Sequence, residues 1–434
     1  METFQSISTK QLEINSENEK LLSRYNQIRK QTEFLCSTLE TEDFVVQPMV
    51  DVSPPKWHLG HLTWFFEQFV LYPNIPYYQW YDKHFPYIFN SYYETVGKRI
   101  LRTNRGNITR PGVKEVFLYR AYVDEHINKF LANRNVEIPA DILDVIELGL
   151  QHEQQHQELL LYDIKYILGN NPLFPKVFPK DSILQTNNTN GKDFEEIKGG
   201  IYQIGCESKE TFCYDNELGV HKVFLHDFKI CKSLVTNEEY LKFMEAGGYK
   251  NFKNWLSEGW DWVKHENIKS PYYWHQIEGE WYRYSLHGLK KIDLKAPVSH
   301  VSFYEAAAFA KWKGLRMPTE EEWEVACQKI CPSVPKEANF QDSEYFEPIP
   351  QMGKNPQFYG DVWEWTASSY RPYPFFKEPE GAIGEYNGKF MINQIVLRGG
   401  SCATPRDHIR PTYRNFFHPH LRWMFSGIRL AQHI

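Results

Sequence analysis

The stretch Leu148–Leu160, LGLQHEQQHQELL, decides how the first half of the chain reads. Val145, Gly149, His152, His156, Leu159, Asp163 and Tyr166 recur at alternating steps of four and three, the seam that a bundle helix turns inward. The pattern predicts a helix from Ala140 to Leu168 with two histidines on its inner face. Side chains at i and i+4 lie on one side of a helix, close enough to share an ion. The alternative is a pair of neutral histidines bonded to polar neighbours; an inward pair at this spacing favours a metal.

A third ligand is then needed, and the segment Pro55–Phe66, PKWHLGHLTWFF, offers His58 and His61 near the start of a second helix. Proline at the first helical position gives up no needed N–H, so Ser53-Pro54-Pro55 marks that start. With amphipathic stretches over roughly Ser8–Leu39 and Val113–Arg134, four long helices predict a bundle. At least one of His58 and His61 points into the cavity that the His152–His156 pair faces. Imidazole suits Zn, Cu, Fe and Ni alike, so ligand type alone does not name the metal. The literal H-E-x-x-H also fits a zinc peptidase with Glu153 as general base, although no third ligand follows His156 at the usual spacing. A non-catalytic module with a structural metal is a third reading, against which the open coordination positions argue.

Between Gly169 and Phe194 the composition changes to Asn, Pro, Lys and Gly without a sustained period, as in a linker. Beyond it lie short alternating runs such as GGIYQIG and KVFLHDFKI, and three short helices, each announced by a capping box: Thr236 with Glu239, Ser302 with Glu305, Thr319 with Glu322. The second half reads as α+β. At 434 residues the chain has room for two to three compact units. A net charge of −6 with interspersed signs offers no basic stripe for nucleic acid. Neither a cationic patch followed by an apolar run near the N-terminus nor a membrane-length apolar stretch is present, so a soluble cytoplasmic protein is expected. Seven scattered cysteines without a C-x-x-C pair argue against a disulfide framework and a zinc ribbon.

Taken in order, HLGH, HEQQH, GGIYQIG, the run from Pro297 containing MPTEEEWEVA, GDVWEWTASSY from Gly360, VLRGGSC from Val396 and FSGIRLA from Phe425 resemble the sulfoxide synthases of ergothioneine biosynthesis over nearly the whole chain. The resemblance implies a multidomain α and α+β protein: a DinB-like four-helix bundle over 1–168, a linker over 169–194, and a C-type-lectin-like domain similar to the formylglycine-generating enzyme over 195–434. It implies iron(II) held by His61, His152 and His156, with His58 a neighbour and not a ligand. The implied reaction uses O2 to join the sulfur of a small thiol to C2 of the imidazole of Nα-trimethylhistidine (hercynine) as a sulfoxide. Three neutral ligands leave the ion its full dipositive charge, which favours a thiolate over its thiol.

In the same resemblance, Tyr92 and Tyr93 stand near the iron, where a phenol hydrogen-bonds or donates a proton. Arg99, Arg102 and Arg105 are candidates for the substrate carboxylates, since guanidinium pairs with carboxylate through two hydrogen bonds. Gln155 matches a glutamine near the substrate imidazole, and Asn415 an asparagine associated with trimethylhistidine. Phe416, Phe417 and Trp423 offer aromatic walls for a trimethylammonium group. The branch using γ-glutamylcysteine carries Trp-Asp in place of Phe416-Phe417 and Arg in place of Leu421, which points here to free cysteine. A selenium donor, as in a selenoneine-type synthase, is the other alternative. Only Cys402 stands where formylglycine-generating enzymes place a copper-binding cysteine pair, so that chemistry is not expected.

Overall fold

In the computed structural model of the chain, residues 2–91, 93, 97–133, 137–178, 193–207, 212–353, 355–378 and 387–434 are described, with side chains from 17 onward. The chain divides into two compact units, Met1–Leu168 and Gly169–Ile434. Among the described residues no helix is long and apolar enough to cross a membrane.

The first unit is built on α1 (Glu2–Leu35), α2 (Pro55–Phe66), the short α3 (Tyr72–Asn74) and α4 (Phe85–Phe89), then α5 (Val113–Leu131) and α6 (Ala140–Gly169). Every residue of α2 is buried, as expected of a helix apolar on nearly all sides. Its two histidines are therefore interior groups that need partners. Beyond Phe66 the helix loosens into a π-turn over Glu67–Leu71, an irregularity that sequence periodicity does not announce. The Glu67 carboxylate there accepts from the hydroxyls of Tyr78 (3.0 Å) and Tyr119 (2.5 Å) and from the Tyr81 N–H (3.0 Å).

Close approach around α2 depends on two glycines. A Cβ at Gly60 would lie 2.1 Å from the Phe89 ring, and one at Gly149 would lie 2.7 Å from the Phe66 ring. Both gaps are far inside van der Waals contact, so any side chain there would push α2 away from the chain around Phe89 or from α6.

The four long helices are tied together by one buried ionic knot. Glu153 of α6 accepts from Arg29 Nη1 (2.9 Å) and Thr32 Oγ1 (2.7 Å) of α1 and from Arg120 Nη2 (2.6 Å) of α5. Arg29 reaches on to Asp124 (2.7 Å) and to Thr63 of α2 (3.1 Å). Burial alone would raise the Glu153 pKa; Arg120 and Arg29 outweigh it and hold the carboxyl at about 2.

Among the described residues, the second unit carries α7 (Asn237–Glu245), α8 (Ser257–His265), α9 (Phe303–Trp312) and α10 (Glu320–Ile330) with twelve strands. These are β1 (Phe194–Ile197), β2 (Gly200–Ile204), β3 (His221–Leu225), β4 (Phe228–Cys231), β5 (Trp274–Ile277), β6 (Glu280–Ser285), β7 (Gly288–Lys291), β8 (Trp363–Ser369), β9 (Ile395–Arg398), β10 (Asn415–Phe417), β11 (Ser426–Gly427) and β12 (Ala431–His433). They form sheets ordered β1-β4-β12, β10-β9-β8-β11 and β5-β6-β7, with β2-β3 as a separate hairpin. All three capping boxes form, at the starts of α7, α9 and α10. A fourth helix, α8, adds to the three expected; it begins behind Leu256, which has no capping side chain to advertise it.

The motifs of this half interlock as buried charge pairs. Glu364 of GDVWEW takes a two-pronged contact from Arg429 of FSGIRLA, at 2.5 and 2.7 Å, and a third hydrogen bond from the Trp323 indole (2.6 Å). Arg398 of VLRGGSC donates to Glu320 (3.0 Å) and Glu324 (2.9 Å) of α10, and Arg414 donates to Glu320 (2.9 Å). These residues hold short strands and long loops in one arrangement. Cys206 and Cys213 are joined by a disulfide, a local pair that the scattered spacing conceals; Cys36, Cys231, Cys327, Cys331 and Cys402 are buried thiols outside any disulfide.

Candidate metal centre

The inner faces of α2 and α6 meet at a histidine cluster. One ring nitrogen of each of His61, His152 and His156 lies within 4.8 Å of the other two. The ring centroids are 5.0 Å apart for His61–His152 and His61–His156, and 4.6 Å for His152–His156. Three nitrogens each about 2.1 Å from one ion lie roughly 3.0–3.6 Å apart, so the set closes on a single metal with shifts of about an ångström or less. Burial, reinforced by the neighbouring rings, holds His61 and His156 well below the ordinary histidine range, and burial holds His152 at about 3. All three are neutral imidazoles at neutral pH, the form that ligates.

Two indoles fix the His61 ring. It stacks on Trp57, four residues earlier, at 4.6 Å and 12°, and on Trp64, three residues later, at 5.4 Å and 19°. Its Nδ1–H donates to the Phe89 carbonyl at 2.7 Å, which leaves the Nε2 lone pair for an ion. The other imidazole of HLGH, His58, is not in the three-nitrogen group. Its Nδ1 lies 2.8 Å from His156 Nδ1, and its Nε2 lies 2.9 Å from Asp163. Sequence reading passed over this arrangement, although Asp163 follows His156 by seven residues, two turns along the same face.

Glu153, by contrast, is fully engaged by two guanidinium groups and a hydroxyl, and its carboxyl stays ionised far below neutral pH. A group so committed cannot collect a proton from a metal-bound water, which removes the zinc-peptidase reading of H-E-x-x-H.

Of the tyrosine pair, Tyr92 lies outside the described residues. Tyr93 is buried, with its ring 5.6 Å from Trp64 and 5.4 Å from Phe69, one aromatic layer removed from His61. The arginines differ among themselves. Arg105 is buried, stacks 3.3 Å over the Trp57 ring and donates to Ser53 Oγ (2.8 Å). Arg99 donates to the Ser91 carbonyl (2.8 Å), and the exposed Arg102 to the Asp51 carbonyl (2.6 Å). Arg105 thus packs into the framework behind His61, leaving Arg99 and Arg102 nearer the surface. Gln155 is half-buried on α6 beside His156.

The remaining candidates lie in the second unit, on and after β10. The Asn415 side chain accepts from the Phe416 N–H (2.8 Å), Phe416 stacks on Tyr370 at 4.1 Å, and the Phe417 ring meets Trp423 edge-on at 5.4 Å. All three are half-buried, which leaves part of each side chain available to a ligand.

Comparison with known proteins matches this architecture. Residues 180–434 match the sulfatase-modifying factor enzyme 1-like domain, and residues 24–160 the DinB superfamily. The hercynine oxygenase of Mycobacterium tuberculosis is 32% identical over 66% of this chain and 71% of its own length. That of Mycolicibacterium thermoresistibile is 31% identical over 68% of this chain and 70% of its own. Ergothioneine biosynthesis protein 1 of Schizosaccharomyces pombe is 26% identical over 51% of this chain and 28% of its own. With one family model covering more than half of the sequence and a DinB bundle preceding it, the chain belongs to the sulfatase-modifying factor enzyme 1-like family and, within it, to the group of sulfoxide synthases that includes the hercynine oxygenases.

Proposed function

We propose that this protein is an iron(II)-dependent, O2-using enzyme of ergothioneine biosynthesis, which joins the sulfur of cysteine to C2 of the imidazole of hercynine as a sulfoxide. The observation that carries the reading is the convergence of three buried, neutral imidazoles from two helices, without a carboxylate in the ligand group. Kinship with hercynine oxygenases supplies the substrate class. The protein is expected to work in the cytoplasm on small molecules, with neither nucleic acid nor membrane as partner.

His61, His152 and His156 would hold the iron, which when bound would supply a dipositive centre that favours thiolate and can pass electrons to O2. The aromatic shell of Trp57, Trp64 and Tyr93 excludes water from one side of that centre. Tyr93 and Tyr92 are assigned the proton donation that reduced oxygen requires, and Arg99 and Arg102 the substrate carboxylates. Arg105 keeps Trp57, and through it His61, in place. Gln155 is assigned to the substrate imidazole, and Asn415, Phe416 and Phe417 to the trimethylammonium end and the thiol.

The test is O2 consumption by iron-loaded protein given hercynine with cysteine, γ-glutamylcysteine or a selenosugar. Cysteine should be preferred at least about tenfold, because the lack of an acid and a base in the thiol pocket removes one or more charge-assisted contacts. Equal rates with γ-glutamylcysteine would contradict that pocket, and a faster reaction with the selenosugar would move the assignment to a selenoneine-type synthase. Tyr93→Phe should lower sulfoxide formation by about 10²–10⁴-fold while leaving iron affinity within a few-fold. Unchanged turnover removes its role as proton donor.

A further inference from the structure

The metal-centre reading uses one histidine of HLGH and leaves the other, with Asp163, unexplained. His58 is 2% exposed and Asp163 2% exposed, so neither is at the surface to interact with solvent. They lie in a continuous chain. Asp163 Oδ2 is 2.8 Å from the backbone nitrogen of Ser53 and 2.9 Å from His58 Nε2. His58 Nδ1 is 2.8 Å from His156 Nδ1.

The direction of the chain follows from what each atom can do. A carboxylate only accepts, so His58 carries its hydrogen on Nε2. With that single N–H on the ring, His58 Nδ1 is an acceptor. The nitrogen facing it, His156 Nδ1, must then be the donor. His156 therefore keeps its lone pair on Nε2, the atom an ion needs. In the opposite arrangement a hydrogen would sit on that nitrogen and exclude the metal.

We propose that His58 and Asp163 are positioning residues for the metal centre, a carboxylate–histidine–histidine relay that locks His156 in its ligating tautomer and passes the charge of Asp163 to the ion through two rings. The inference rests on the metal-centre reading. It distinguishes the three ligands chemically: His61 leans on a neutral carbonyl, at Phe89, whereas His156 is backed by a carboxylate and is the stronger donor. Each of the two ligand helices thus supplies both a ligand and the group that supports one: α2 gives His61 and His58, α6 gives His156 and Asp163.

The relay is tested on full-length apoprotein titrated with Co(II), whose absorption bands report ligand field and whose titration gives affinity. His58→Phe, which fills the space but breaks the chain, should weaken Co(II) binding by about 10–100-fold and shift the bands. His58→Gln, whose amide oxygen accepts from His156 and whose amide nitrogen donates to Asp163, should recover to within a few-fold of the parent. Asp163→Asn keeps the size and removes the charge; it should weaken binding by at least several-fold and serves as the readout if His58→Phe does not fold. Parental affinity and bands in Asp163→Asn, or a His58→Gln protein no better than His58→Phe, would overturn the proposal. His61→Ala separates this failure from that of the underlying reading: parent protein whose Co(II) binding is indifferent to His61 has no such metal centre at all.

Discussion

Replacing Glu153 with glutamine should leave the histidine cluster chemically intact and weaken the first unit more than any other conservative change in it. The substitution keeps the shape of a fully buried side chain and removes the charge that answers Arg29 and Arg120. Arg29 retains Asp124, but Arg120 is left with Glu33, which is 45% exposed at its side chain. Removing one partner of a buried pair typically costs about 3–5 kcal/mol, because the surviving charge is stranded away from water. For a unit of this size that is a fall in melting temperature of roughly 6–20 °C, read from the helical circular dichroism signal. The pH dependence has a defined sign. Because the native carboxyl is held at about 2, below the ordinary glutamate range, its contribution is complete above that range and is lost as pH falls toward 2. The glutamine protein should lack that part of the acid transition. A variant that melts like the parent would mean that the knot is not what joins the helices; a peptidase base at this position would instead lose hydrolysis and keep its stability.

That prediction also marks where sequence alone misleads. H-E-x-x-H invites a reading in which the glutamate faces the ion with the histidines, but successive helical residues are about 100° apart, and here Glu153 points to α1 and α5 while His152 and His156 point to α2. Helical periodicity made the bundle legible: α2, α5 and α6 begin at the residues the proline and amphipathic signals pick out, and α1 differs only at its ends. Local signals found the three boxed helices of the second unit and missed α8, where no cap announces the start. The π-turn after Phe66 and the Glu364–Arg429 pairing depend on contacts that no short window contains, and the disulfide between Cys206 and Cys213, though local, has no spacing motif to mark it. The same limit applies at the site. Spacing put His152 and His156 together and left His58 and His61 open as the third ligand; only three-dimensional packing separates them, one between two indoles and the other against Asp163.

His61→Ala should abolish the response of stability to metal. In the parent, a metal that binds the native state stabilises it by RT ln(1 + [L]/Kd), about 2.7 kcal/mol at a hundred times Kd. If a metal site of about 10–16 kcal/mol divides evenly among four ligands, each ligand contributes about 3 kcal/mol, a loss of at least a hundredfold in affinity. At the same metal concentration the variant would then gain only about 0.4 kcal/mol, below what a melting curve resolves easily. The apoprotein must be melted alongside, since removing the ring opens a gap between Trp57 and Trp64 and leaves the Phe89 carbonyl without its donor. That cost is common to both metal-free and metal-loaded samples and cancels in their difference. The difference therefore reports ligation and not packing. His152→Ala and His156→Ala should lose the response as well, because three ligands that converge on one ion from two helices each carry the link between α2 and α6 when it is bound. An undiminished metal-dependent rise in His61→Ala would place the ion elsewhere and take the proposed chemistry away from this cluster.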